Sequence, residues 1–187
     1  LCSHCCQKSP PYRAIRSWAL YQGTLREAIH SLKYKHDIAL AESLAVHLIE
    51  MYNDLRWPVD LITAVPLGSK RALERGYNQA AMLARPLGLY TRIPFSPRAL
   101  RRTRETDSQV RLGPVERHAN VRDAFTANAS LVHGKVVLVI DDVTTTGATI
   151  ESCAHALRNA GAVDVYGLTV ARAGRQVSET GQLADAR

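Results

Sequence analysis

No apolar run in this sequence approaches the roughly 20 residues that a membrane-spanning helix needs, which argues against membrane insertion. No charged-then-apolar segment of signal type opens the chain, so the expectation is a soluble, cytoplasmic protein. Aromatic residues are scarce, at 6%, and they do not alternate with basic residues in the manner that stacks successive bases of a single strand. Negative charge is also in short supply: 17 Asp and Glu face 24 Lys and Arg, a formal net charge of +7. A balance of that size points to an anionic partner, whether nucleic acid, phosphorylated metabolite or membrane surface. No Ser-His-Asp or Cys-His pattern for nucleophilic catalysis is visible, which leaves room for chemistry that uses no covalent nucleophile.

Cysteine is unevenly spread: three of the four lie in the opening LCSHCC, and Cys153 stands alone in a helical pattern, where it reads as core. Cys2 and Cys5 have the spacing that places two thiolates on one metal, but a structural zinc site takes four ligands, commonly from two such pairs. His4 and Cys6 are available substitutes; a truncated zinc ribbon, with Zn2+ bound in the full-length protein, accounts better for the missing pair. The expected organisation is a ribbon remnant over 1–8, one domain over 9–173 and a loose tail over 174–187. At 187 residues, 46% of them hydrophobic, the chain suffices for one domain with its own core.

Strands and helices alternate along the chain. SWALYQ (17–22) reads as a short strand, and Thr24 as the cap of a helix reaching about Leu32. Residues 39–54 are helical by spacing, DLITAVP (60–66) reads as a buried strand stopped by Pro66, and NQAAMLARPL (78–87) as an amphipathic helix. An arginine-rich polar stretch then runs to about Arg122. KVVLVI (135–140) has no polar face, which places it inside a parallel sheet covered on both sides. A helix over 150–159, ended at Gly161, and a strand over 163–170 complete a β-loop-α-β unit, so the fold class is α/β.

Asp141 and Asp142 follow the buried run directly, and Thr144, Thr145, Thr146, Gly147, Ala148 and Thr149 lead into the next helix. Ligands of open α/β sheets bind at that edge. A helix N-terminus offers unpaired N–H groups and the positive end of a dipole to a phosphate, threonine hydroxyls add donors, and Gly147 lets backbone approach closely. Two carboxylates would repel a bare phosphate. The ligand therefore carries something they can hold, such as vicinal ribose hydroxyls or a bound magnesium. A ribose 5-phosphate satisfies both halves of the motif.

IDDVTTTGAT resembles the phosphoribosyl pyrophosphate (PRPP) signature of type I phosphoribosyltransferases. AVPLGSKRALERGYNQA (64–80), LRRTRETDSQVRLGPVERHANVRDAF (100–125), YQGTLREAIHSLKY (21–34) and LCSHC resemble the ComF subgroup of that fold. The resemblance runs from Leu1 to about Arg172. It departs in one place: ComF-like chains normally carry two CxxC pairs, and only Cys2 and Cys5 are here. It implies a mainly parallel central sheet flanked by helices, with Asp141 and Asp142 holding the ribose and 144–149 wrapping the 5-phosphate. Pro66, Leu67, Gly68 and Ser69, within a loop from Val65 to Lys70, would take the pyrophosphate, with Arg71 and Arg75 as charge partners. Arg102, Arg104 and Gln109 would lie in a flexible loop that closes over the site, Arg104 joining the two aspartates in catalysis. Lys33 and Tyr34 match the family pattern without an evident physical role.

The resemblance further implies Mg2+ entering with PRPP, transfer of phosphoribosyl to a nitrogen acceptor with release of pyrophosphate, and a link to DNA uptake in natural transformation. Dimerisation is common for this fold and rests on resemblance alone. A reading from another class also stands: a non-catalytic adaptor that binds single-stranded DNA, or senses PRPP or a nucleotide, alongside the competence machinery. Tyr12, Trp18, Tyr21 and Tyr34 are suited to stacking an acceptor base and equally suited to a core.

Overall fold

The computed structural model describes residues 10–104 and 124–174. Strand β1 (Ala14–Leu20) is followed by helices α1 (Gly23–Tyr34) and α2 (Ala39–Leu55). Strand β2 (Leu61–Ala64) leads to α3 (Ser69–Arg75) and α4 (Gln79–Thr91). Short strands β3 (Leu100–Arg102) and β4 (Phe125–Ala127) and a single turn, α5 (Ala129–Val132), precede β5 (Val136–Thr144). The chain then forms α6 (Ala148–Asn159) and β6 (Asp164–Arg172).

Four strands form a parallel sheet in the order β1-β6-β5-β2. Val137, Leu138, Val139 and Ile140 of β5 are all fully buried. The reason is visible in the packing: Leu138 and Ile140 join the α1, α2 and α4 side of the core, while Val137 and Val139 meet Cys153, Ala154 and Leu157 of α6. Burying each such side chain contributes on the order of 1.5–3 kcal/mol, so a strand apolar on both faces is stable only between two helical layers. Antiparallel β3 and β4 sit apart from this sheet and give Leu100 and Phe125 to the α6 side.

The connections place a cleft. Ile62 of β2 bridges Phe95 in parallel, so the crossover through α3 and α4 leads outward from β2. The crossover through α6 leads from β5 the opposite way, to β6. Chain directions therefore diverge between β2 and β5, and in open parallel sheets that divergence opens a crevice at the carboxyl ends of the strands.

Several boundaries differ from the sequence expectation. The first strand starts at Ala14, three residues earlier, because its pairing with β6 begins there. Thr24 lies inside the first turn of α1, with Gln22 in the cap position and no side-chain cap. Helix α4 runs through Pro86 to Thr91, its buried Leu83, Ala84 and Leu87 continuing across the proline.

Gly167 of β6 sets how closely the layers approach. A Cβ there would lie 2.8 Å from Ile150 Cγ2 and 3.1 Å from Ile15 Cγ1. Overfilling a packed core costs about 1–3 kcal/mol. Gly167→Ala is expected to lower unfolding free energy in urea by that amount, with a fall in thermal midpoint; an unchanged midpoint would show that the layer spacing is not set there.

Candidate functional site

β5 extends two residues past its acidic pair, to Thr144, because β6 continues beside it to Arg172. β2 does not: it pairs as far as Ala64 opposite Ile140, and the last contact is the Val65 N–H donating to the Ile140 carbonyl at 2.9 Å. Asp141 and Asp142 thus stand just where one neighbour has left. Each carboxylate accepts the N–H of the residue after it, Asp141 from Asp142 at 2.9 Å and Asp142 from Val143 at 2.8 Å.

Adjacent strand residues point to opposite faces. Asp142 shares the face of Leu138 and Ile140, toward α1. The last turn of α1 brings Lys33 Nζ to 2.6 Å from Asp142 Oδ2, with side chains 19% and 4% exposed, as an ion pair rather than a well-aligned hydrogen bond. Burial alone would lower the Lys33 pKa, but the charge and contact of Asp142, with help from Asp141 and Tyr21, outweigh it and leave it raised. Asp141 shares the face of Val137 and Val139. Burial, and next the charge of Asp142, push its carboxyl well above the usual range, Lys33 only partly opposing. The thiol of Cys153 beneath is also pushed up, by burial first and by Asp141 second, with Arg102 opposing.

Among the described residues, both carboxylates therefore lean on the Lys33 ammonium, Asp142 in contact with it and Asp141 through its charge. Among the described residues no group of three or more His, Cys, Asp or Glu side chains forms a metal cage. Asp141 and Asp142 are the side chains there that could offer oxygens to a hydrated divalent cation.

Beyond the pair, Thr144 is buried and its carbonyl accepts the Ala173 N–H at 2.9 Å. Thr145 and Thr146 are exposed. Gly147 has φ of 86°, left-handed backbone, and a Cβ on it would meet Ile15 Cδ1 at 3.3 Å, so both conformation and space call for glycine. Thr146 Oγ1 accepts the Ala148 N–H at 3.3 Å as α6 begins. The 144–149 stretch is thus a hydroxyl-bearing turn running into a helix N-terminus beside the acidic pair.

Across the cleft, Val65, Pro66, Leu67 and Gly68 connect β2 to α3, whose first residue is Ser69. Asn78 braces this loop: its Nδ2 donates to the Val65 carbonyl at 3.0 Å while its Oδ1 accepts the Ala80 and Ala81 N–H groups at the start of α4. A cavity of about 260 Å3 lies against the loop, lined by Ala64, Pro66, Leu67, Ala72, Tyr77 and Asn78 among others. Arg71 is partly exposed. Arg75, expected as a charge partner of the loop, is buried: it donates to Gln79 Oε1 at 2.6 Å and lies 5.2 Å from the Tyr34 ring centroid. The Tyr77 hydroxyl donates to the Leu32 carbonyl.

These contacts clamp the end of α1 and supply what the sequence alone did not, a role for Lys33 and Tyr34. Tyr34 takes the guanidinium of Arg75, and Lys33 is delivered to Asp142. The sequence signal was that the two residues match the family pattern, just past the expected end of a helix. Asn78 was legible only as the start of a helix, since its bond to Val65 spans 13 residues.

Arg102 corrects another expectation. It is not in a loop but in β3, in register with Phe125 and 5.5 Å from that ring centroid. Arg104 follows the strand and is exposed. Cys2, Cys5 and Gln109 lie outside the described residues.

A parallel sheet with a directional break, an acidic pair at its carboxyl edge and a threonine turn into a helix define a phosphoribosyltransferase-type domain. The model of the phosphoribosyl transferase domain family matches residues 73–180, more than half of the chain. The DNA utilization protein YhgH of Escherichia coli K12 is 34% identical over 170 residues, covering 88% of this chain and 74% of that protein. Competence protein F of Haemophilus influenzae is 29% identical over 181 residues, covering 92% and 78%. The chain belongs to the ComF family and has the type I phosphoribosyltransferase fold. Among solved structures, glutamine PRPP amidotransferase of B. subtilis aligns with a TM-score of 0.47 and 21% identity over 69% of this chain and 25% of that one, too distant to inform the site.

The electrostatics of Asp141 generate a prediction. Its folded pKa is raised, so the native state holds the proton more tightly than the unfolded chain, and stability falls as pH rises above the ordinary carboxylate value of 3.8. Asp141→Asn removes that penalty while its Oδ1 still accepts the Asp142 N–H. Thermal unfolding from pH 4 to 7 should show the variant more stable than wild type at neutral pH, the gap narrowing toward acid; an equal or lower midpoint at pH 7 would contradict the charge imbalance.

Proposed function

We propose that the chain binds PRPP with magnesium at Asp141 to Thr149 and transfers the phosphoribosyl group to a nitrogen acceptor, releasing pyrophosphate. The observation that carries this reading is the juxtaposition, at the β2–β5 break, of a buried and a half-buried carboxylate with a hydroxyl-bearing turn into α6. The carboxylates accept hydrogen bonds from the 2- and 3-hydroxyls of the ribose. Thr145, Thr146 and the first N–H groups of α6 take the 5-phosphate. The loop 65–68 faces the diphosphate with backbone rather than side chains. Magnesium, when bound with PRPP, neutralises the leaving diphosphate.

The reaction breaks the bond from ribose C1 to the diphosphate oxygen and forms one from C1 to nitrogen, the acceptor losing a proton. Positive charge builds on the sugar ring between the two events, and carboxylates fixed beside the ring stabilise it without moving. Holding both reactants in line supplies much of the rest. No covalent nucleophile is needed, in keeping with the residues present.

A second reading, an adaptor for single-stranded DNA, is favoured by the exposed Arg98, Arg101 and Arg104 and by the names of the relatives, a DNA utilization protein and a competence protein. The two readings separate cleanly. Calorimetric titration of PRPP with magnesium should give saturable binding that Asp141→Asn/Asp142→Asn weakens about 100-fold, or roughly 2.7 kcal/mol. Absence of binding by wild type would overturn the first reading. Single-stranded DNA binding, if it dominates, should weaken with salt by a log–log slope of about −0.7 for each phosphate contacted and ignore the aspartate substitutions.

A further inference from the structure

Lys33 is neither in the acidic motif nor in the turn that follows it, yet its ammonium lies 2.6 Å from Asp142 Oδ2. Its position is built rather than incidental. The Tyr77 hydroxyl holds the Leu32 carbonyl immediately before it, and Arg75 packs over the Tyr34 ring immediately after it. The Asp142 side chain is 4% exposed and that of Lys33 19%, so the pair is shielded on the protein side and reaches solvent through the lysine.

We infer that Lys33 is a resident counter-ion that excludes a bare divalent cation from the acidic pair, so that metal enters only with a phosphorylated ligand. An ammonium in contact with Asp142 neutralises one of two carboxylates and occupies the approach to it. A free cation arriving from water would have to displace a charge already in place and shed its own hydration, which magnesium does reluctantly. A ligand that carries phosphate changes the balance. The lysine then has an anionic partner to move to, and the carboxylates are released together with a cation already partly neutralised by the diphosphate. Lys33 is thus a positioning residue, acting through Asp142. The inference rests on the proposed PRPP site only for the identity of the ligand that brings the metal; the exclusion itself concerns Lys33 and the aspartates.

The test uses Mn2+ as the metal, followed by the electron paramagnetic resonance signal of the free ion, with no turnover required. Wild type and Lys33→Arg, which keeps a cation in place, should leave Mn2+ free when it is the sole addition. Lys33→Gln should bind it at least about tenfold more tightly, since one positive charge has been taken from beside two carboxylates. Lys33→Gln/Asp142→Asn should lose that gain. Should Lys33→Gln fail to fold, Lys33→Met, which removes the charge and keeps the apolar stem, is read in its place by the same free-ion signal. Tight binding of Mn2+ alone by wild type, or no gain in folded Lys33→Gln, overturns the inference. PRPP calorimetry on wild type is read separately: a gain of Mn2+ binding in Lys33→Gln without PRPP binding in wild type supports the exclusion while removing the proposed ligand.

Discussion

Asp142 is 3% exposed, and a carboxylate that far from water requires a counter-charge. Lys33 provides it, and much of the remaining architecture serves to bring the two together. The sheet carries Asp142 to the end of a strand buried on both faces. Helix α1 carries Lys33 to the same place, and residues 75–77 fasten the end of that helix. On the other face, burial first and the charge of Asp142 next keep the Asp141 carboxyl from ionising, with Lys33 only partly opposing. Among the described residues, the end of β5 thus carries more negative than positive charge, which costs stability at neutral pH.

The same geometry explains why the cleft opens where it does. β2 does not continue alongside β5 as far as the acidic pair. It leaves at Ala64, and the departing chain becomes the loop 65–68, held by Asn78. On the other side, β6 continues and keeps the acidic end of β5 in the sheet. One neighbour leaves and the other stays, so the pair lies at the edge of the cleft with one flank held in the sheet. Gly167 and Gly147 let Ile15 and Ile150 pack closely beneath the 144–149 turn, giving it a firm floor.

The parallel sheet was legible because Val137 to Ile140 have no polar face, a pattern that only two covering layers explain. The acidic pair and its turn were legible because all their residues are contiguous. Residues brought together from distant segments were not. Lys33 and Asp142 are far apart in sequence, and no local periodicity relates them. Arg75 looked like a ligand contact because arginines near a phosphate-type loop often are; burial and its contacts with Gln79 and Tyr34 depend on packing that spacing does not encode. The β3–β4 pairing was hidden by shortness, since three residues in an arginine-rich stretch carry little strand signal.

The most direct measurement is chemical-shift mapping of backbone amides as PRPP and magnesium are titrated into 15N-labelled protein. The account predicts that the largest changes fall on Thr146, Gly147 and Ala148, with a second group at Leu67 and Gly68 across the cleft. Changes confined to the Arg98–Arg104 segment, or none at all at the turn after β5, would contradict it.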